Sequence, residues 1–265
     1  MVAHRTSSLV FEAQPNQAPV LHVFGGPHVT LGARRLEVPE GSKRLLVFVA
    51  LHRGRVERRH AAGTLWPIGD DGRAAGNLRS ALWRLRGAGI DLLAADKWSL
   101  ALCDEVVVDV HVVSSWAGRL IDGTASDADL AVSPWWVDAL DLLPGWYDDW
   151  ALVERERMRQ RVLHALEALS RRLVSAVRCA EAVEAAMLAV SAEPLRESAQ
   201  RALIEAHLAE GNWVEGWRVY QAYRDLLRRE LDVEPSTDLV ALLHAARQDR
   251  STRSQHELHL QAIPS

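Results

Sequence analysis

A chain of 265 residues that is 48% hydrophobic and 25% charged has an ordinary globular composition and room for two modest domains. It contains no apolar run near the roughly 20 residues that span a bilayer and no apolar signal core after Met1, so a cytoplasmic protein without membrane contact is expected. The net charge of −4 hides a division: residues 1–120 carry 15 Lys+Arg against 11 Asp+Glu, and residues 121–265 carry 16 against 24, so two domains with different partners are expected.

Met1 to Pro19 is polar and reads as a loose tail. From Val20 to Val38, Leu21, Val23, Val29, Leu31, Leu36 and Val38 alternate at period two. Turn signals fall at Gly25-Gly26-Pro27 and Gly32-Ala33, which predicts a small antiparallel sheet. Lys43 to His52 is densely apolar at helical spacing, with Ser42 as its N-cap and Gly54 as its stop. A second helix over 58–65 ends at Trp66-Pro67, where proline enforces a break. Residues 68–72 form a loop in which Asp70 or Asp71 caps a third helix that runs to Gly87. Next, 90–93 and 98–102 read as strands around the turn 94–97. The apolar run Val106 to Val110 leads into a helix capped by Asp109. Sheet, three helices and hairpin make a winged helix-turn-helix plan with an extra N-terminal sheet.

Residues 121–134 are small and acidic and suit a boundary or exposed loop. After Trp150 the chain reads as helices near 150–174, 179–192, 195–210, 213–231 and 236–248, with breaks at Pro194, Gly211-Asn212 and Pro235. Ala182, Ala189 and Pro194, then Leu208, Gly211, Gly216 and Tyr220, suit the close helix pairs of a tetratricopeptide-like array, as they suit any Ala-rich bundle. The expected fold is therefore an α+β winged helix-turn-helix with small antiparallel sheets, followed by an all-α tetratricopeptide-like domain. Its expected divisions are a disordered tail over 1–19, a DNA-binding domain over 20–112, a helical domain over 113–248 and a disordered tail over 249–265. Trp135, Trp136, Trp146, Tyr147 and Trp150 read either as a binding platform or, preferably, as a hydrophobic plug sealing the two domains together. Cys103 and Cys179 form no metal-ligand pattern and are expected as buried thiols in a reducing compartment.

The third helix carries the densest functional signal. Leu78, Leu82 and Leu85, with Ala74, Ala75 and Ala81, form an apolar stripe. The remaining surface presents Arg73, Asn77, Arg79, Ser80, Trp83, Arg84 and Arg86, with no acid between Arg73 and Gly87. Arg suits guanine edges or phosphates, and Asn suits adenine. A solvated Arg-rich face is the plainer reading. Against it stand an outward Trp83, costly without a partner, and the poor helix formers Asn77 and Ser80. Lys97 at the hairpin tip suits phosphate or the minor groove and equally a plain turn. Arg58 and Arg59 suit backbone phosphates, Lys43 and Arg44 less so. A solvated surface fits each of these as well. Glycine-rich phosphate loop, nucleophile elbow and paired helical histidines are all missing. His60, His164, His207 and His244 each stand alone, so no active site, cofactor or metal is expected.

Several of these residues resemble a known family. The N-terminal half resembles the OmpR-type winged helix-turn-helix, and residues Leu21 to Arg247 resemble the Streptomyces antibiotic regulatory proteins, the SARP family. The likeness rests on Leu65-Trp66-Pro67, Asn77-Leu78-Arg79, Arg84-Leu85-Arg86 and Val108-Asp109-Val110. It rests most on Leu142-Leu-Pro-Gly-Trp-Tyr-Asp-Asp-Trp150 with Glu154-Arg155-Glu156-Arg157, which resembles the entrance to the bacterial transcriptional activator domain. Glu193 to Glu197 and Leu231-Asp-Val-Glu-Pro235 fit its later helices, although many members have Leu-Gly before Glu-Pro. Larger members also continue into an ATPase and a repeat sensor. The resemblance implies an activator of secondary-metabolite (antibiotic biosynthesis) genes. It would bind double-stranded DNA at direct repeats near the promoter −35 element, as a homodimer or side-by-side protomers, and recruit RNA polymerase through sigma factor, in association with the nucleoid. The helix from Arg73 to Arg86 would be the recognition helix, and Lys97 would lie on the wing. The loop Pro67 to Gly72, with Ile68, Asp70 and Asp71, would contact the polymerase. A helical adaptor or ligand-sensing regulator, with a winged helix used for protein contacts only, is the competing reading.

Overall fold

The computed structural model describes residues 18–131 and 140–248. Both expected tails, apart from residues 18 and 19, lie outside the described residues, as do Trp135 and Trp136. Contacts divide the described chain into two compact units, one of residues 18–116 and 140–162, the other of 117–131 and 163–248.

In the first unit, β1 (Val20–His22), β2 (His28–Leu31) and β3 (Arg34–Glu37) form the expected antiparallel meander. Leu21 pairs with Val29, and Val29 with Leu36, so the period-two alternation sends all three to the buried face. A fourth strand, β7 (Val107–Val108), joins β1 in parallel. Asp109 makes that join. It opens α4 (Asp109–Ile121), and its carboxylate accepts from the backbone N–H of Val23 (2.8 Å), Phe24 (3.2 Å) and Val110 (2.6 Å). Burial pushes its carboxyl up to about 7, against the three N–H donors that pull it down.

Helices α1 (Glu40–Leu51), α2 (Arg58–Leu65) and α3 (Asp71–Gly87) enclose the core of Leu45, Leu46, Phe48, Leu65, Leu78 and Leu85. The first starts earlier than Ser42 suggests. Pro39 is its N-cap at φ −55°, and Ser42 lies buried in the first turn, donating to the Ala81 carbonyl at 2.9 Å. The wing has three strands, β4 (Val56–Glu57), β5 (Leu93–Ala95) and β6 (Ser99–Leu102), in the order β4-β6-β5. Its first long strand begins at Leu93 rather than Ile90, because Ile90 closes the end of α3. Gly89 sits at φ +71°, Ile90 N–H donates to the Leu85 carbonyl (3.0 Å) and Gly89 N–H to that of Arg86 (3.0 Å).

The segment before α5 (Asp149–Ser175) packs on this same unit. Leu142 and Leu143 are buried, Leu142 bridges Phe24, and Arg155 donates to the carbonyls of Leu142 (2.6 Å), Leu143 and Trp146 (3.0 Å). Trp150 meets Phe48 edge-on at 5.2 Å and Trp146 at 6.0 Å. Trp150 thus plugs the unit's core, whereas Tyr147 is exposed.

The second unit is all-α. Leu163, Leu166, Leu169 and Leu173 bury one stripe of α5, and Ala182, Ala185, Ala186 and Ala189 bury the small-residue face of α6 (Cys179–Ala192). α7 (Glu197–Ala209), α8 (Trp213–Leu231) and a helix over 237–248 share the cluster of Ile204, Tyr220, Tyr223, Leu227, Leu239 and Leu243. Gly216 of α8 faces α7, where a Cβ would make ordinary contact at 3.5 Å with Leu208 Cδ2. Glu167, buried, accepts from Arg196 Nε (2.6 Å) and Ser198 Oγ (2.7 Å). Cys103 and Cys179 are free but only partly buried, contrary to expectation, because they fall at the ends of elements, after β6 and at the first residue of α6.

Candidate nucleic-acid interface

The Asp70 side chain caps α3, accepting from Arg73 N–H at 2.7 Å. The helix then splits its faces as its sequence predicts. Ala74, Leu78, Ala81, Leu82 and Leu85 are buried, while Arg73, Arg79, Ser80, Trp83, Arg84 and Arg86 are exposed. Ala75 and Asn77 are half-buried at the edges. Trp83 keeps 75% of its surface in solvent.

Beside this face, α2, α3 and the wing tip surround a cleft of about 360 Å³ lined by Arg58, Arg59, Arg79 and Lys97, with Asp71 its one carboxylate. Arg58 Nη1 donates to the Asp96 carbonyl at 3.2 Å, which ties α2 to the wing. Arg59 reaches Asp71 at 3.3 Å, an exposed pair. The Arg79 side chain makes no hydrogen bond or ion pair among the described residues. Four cations converging on one opening, with one acid to offset them, form a surface suited to phosphate.

Other expected residues lie elsewhere. Arg84 donates to the Gly41 carbonyl at 3.3 Å, against the first turn of α1, and Arg86 lies 4.0 Å from Asp91. Lys43 pairs with Glu40 at 2.6 Å. Arg44 is half-buried in an ion pair with Asp148, a partner 104 residues along the chain. In the loop before α3, Ile68 is 88% exposed and Asp70 is committed to its cap, while Asp71 faces the cleft.

Trp98, 73% exposed at the wing tip, stands where the candidate wing 94–98 meets the strand pattern of 98–102, and that pattern does not single it out. An Asx turn overrides that pattern: Asp96 Oδ1 accepts from the N–H groups of Trp98 and Ser99, both at 2.7 Å. Among the described residues no cluster of His, Cys, Asp or Glu could hold a metal ion, and no helix is long and apolar enough to cross a membrane.

A helix-turn-helix backed by a three-stranded wing, preceded by a small sheet and followed by an all-α unit, defines a winged-helix protein with a helical companion domain. Residues 114–247, just over half of the chain, match the family model described as the bacterial transcriptional activator domain, and the chain belongs to that family. The match marks it as a regulator of the transcriptional activator type. The fold is similar to that of the structure titled "Mycobacterium tuberculosis EmbR in complex with low affinity phosphopeptide", with a TM-score of 0.68 at 17% identity over 88% of this chain. This chain spans 66% of the length of that one. No curated protein matches the sequence.

Proposed function

We propose that the chain activates transcription by binding DNA sequence-specifically, with α3 in the major groove and the cationic cleft on the flanking phosphates. The observation that carries this reading is the cleft of Arg58, Arg59, Arg79 and Lys97 beside the exposed face of α3. Phosphate contacts set register, and base edges then meet Asn77, Ser80, Trp83 and the arginines of the same helix. In this reading residues 20–112 are the DNA-binding domain, and 113–248 support protomer and polymerase contacts. Protomers sit side by side on direct repeats near the −35 element, and RNA polymerase with its sigma factor is recruited through surfaces that include Ile68. The regulated genes are those of secondary metabolism.

Selection of duplexes from a randomised pool by the full chain tests the core of this reading. The expected result is enrichment of a direct repeat, bound with affinity that falls steeply as salt rises. Equal binding to selected and random duplexes overturns sequence specificity and favours a protein-binding adaptor. Asn77→Ala on the selected duplex is expected to cost about 1–3 kcal/mol and relax one base position.

A further inference from the structure

A second cleft, of about 580 Å³, opens within the first unit between the end of α1, the strands β5 and β6, and the start of α4. Ala94, Leu102 and Val106 give it an apolar lining, and its charges come from two separate places in the chain. Arg53 and Arg55 stand between α1 and β4, and Asp104 follows β6. Arg55 is engaged by the wing, where it pairs with Asp96 and donates to Ser99 Oγ at 3.0 Å. The Arg53 guanidinium and the Asp104 carboxylate are exposed and make no hydrogen bond or ion pair among the described residues, so opposite charges line one cleft without meeting. His52 Nδ1 donates to the Phe48 carbonyl and His111 Nε2 to that of Ala50, both at 2.8 Å, which holds these rings on the last turn of α1. Burial and the neighbouring Arg53 hold His111 below its ordinary range, so it stays neutral at pH 7. Cys103 marks the acidic side: burial raises its thiol, and the carboxylates of Glu105, Asp91 and Asp104 raise it further.

An apolar cleft of this volume with a few charged groups has the dimensions of a small-molecule site. Its mixed charge sets it apart from the four-cation cleft beside α3. A ligand with one anionic and one cationic end satisfies both unpaired charges at once. We propose that this cleft binds a small zwitterion, a free α-amino acid or a short peptide, with its carboxylate on Arg53, its ammonium on Asp104 and its apolar part against Ala94, Leu102 and Val106. The inference is independent of the DNA-binding reading.

Isothermal titration of the full chain with the proteinogenic α-amino acids and their glycyl dipeptides tests this and separates the two sources. At least one compound is expected to bind saturably. Its amide, which lacks the carboxylate, and its N-acetyl form, which lacks the ammonium, are each expected to bind roughly tenfold or more weakly, the loss of a hydrogen bond to a charged group. Arg53→Gln is expected to cost the same factor and to bind the parent compound and its amide alike. Asp104→Asn is expected to do so for the parent compound and its N-acetyl form. Neither side chain makes a hydrogen bond or ion pair in the fold, so both variants are expected to keep the wild-type unfolding midpoint. Cys103 lines the cleft, so bound ligand slows its alkylation and leaves that of Cys179 unchanged. No binding by any compound of the panel, equal binding of a blocked form, or binding that leaves Cys103 alkylation unchanged and survives Arg53→Gln overturns the proposal.

Discussion

Removing Arg58 and Arg79 together measures whether the cleft grips phosphate. Both line it, from α2 and α3, and both are surface side chains whose loss leaves the buried core intact. If each of the four cations neutralises one phosphate, the slope of log K against log salt is about −3.6, and raising salt from 50 to 200 mM weakens binding about 150-fold. Arg58→Ala/Arg79→Ala halves the slope to about −1.8, so the same change in salt costs about 12-fold. Anisotropy titrations at four salt concentrations, on a selected and a random duplex, read the slope directly. The loss is expected to be uniform across the two duplexes, because phosphates carry no sequence. Asp71→Asn works in the opposite direction. It removes the carboxylate 3.3 Å from Arg59 and is expected to tighten binding a few-fold at low salt. An unchanged slope in the double variant, or a loss confined to the selected duplex, refutes the assignment of this cleft to phosphate.

Three further outcomes concern the folded state. Val177 closes α5 in the left-handed region at φ +60° while 85% exposed, a conformation that is costly for a β-branched residue, so Val177→Gly is expected to stabilise the chain by about 1 kcal/mol in urea unfolding; a loss of stability would contradict the cap. Asp109, held protonated up to about pH 7 in the fold against an ordinary value of 3.8, binds a proton more tightly when folded. Stability relative to Asp109→Asn therefore falls as pH rises from about 4 to 7, and carbon NMR of the carboxyl follows the same titration; a midpoint below pH 4 rejects it. Glu167→Ala leaves the guanidinium of Arg196 without its buried carboxylate and is expected to cost about 3 kcal/mol, with Glu167→Gln milder; a cost under about 1 kcal/mol refutes the pair's structural weight.

Helix α3 was legible because every signal that defines it is local. Its cap, Asp70, stands directly before it, its leucines recur at helical spacing, and Gly89 ends it within two residues. The extents of α2, α6 and α8 follow from the same kind of evidence. The wing was legible as a hairpin but not in register, since one Asx turn at Asp96 and one C-cap at Ile90 redirect residues that alternation assigns to strands. Of the basic residues, Arg58, Arg59, Arg79 and Lys97 could be named singly. Nothing in their spacing says that they share an opening, or that Arg44 and Arg84 turn away from it.

By itself, then, the sequence determined the helices, the polarity of α3 and the contrast of a basic half with an acidic one, since propensity, capping and periodicity act over about four residues. Tertiary structure decided the rest: the parallel pairing of Val107 and Val108 with β1, the burial of Asp109 beneath Val23 and Phe24, the capture of Arg44 by Asp148, and the convergence of four cations on one cleft. Each of those contacts closes a long loop, up to the 104 residues between Arg44 and Asp148. The entropy of closure grows only slowly with loop length, so spacing along the chain does not select the partner, and packing of the whole unit does.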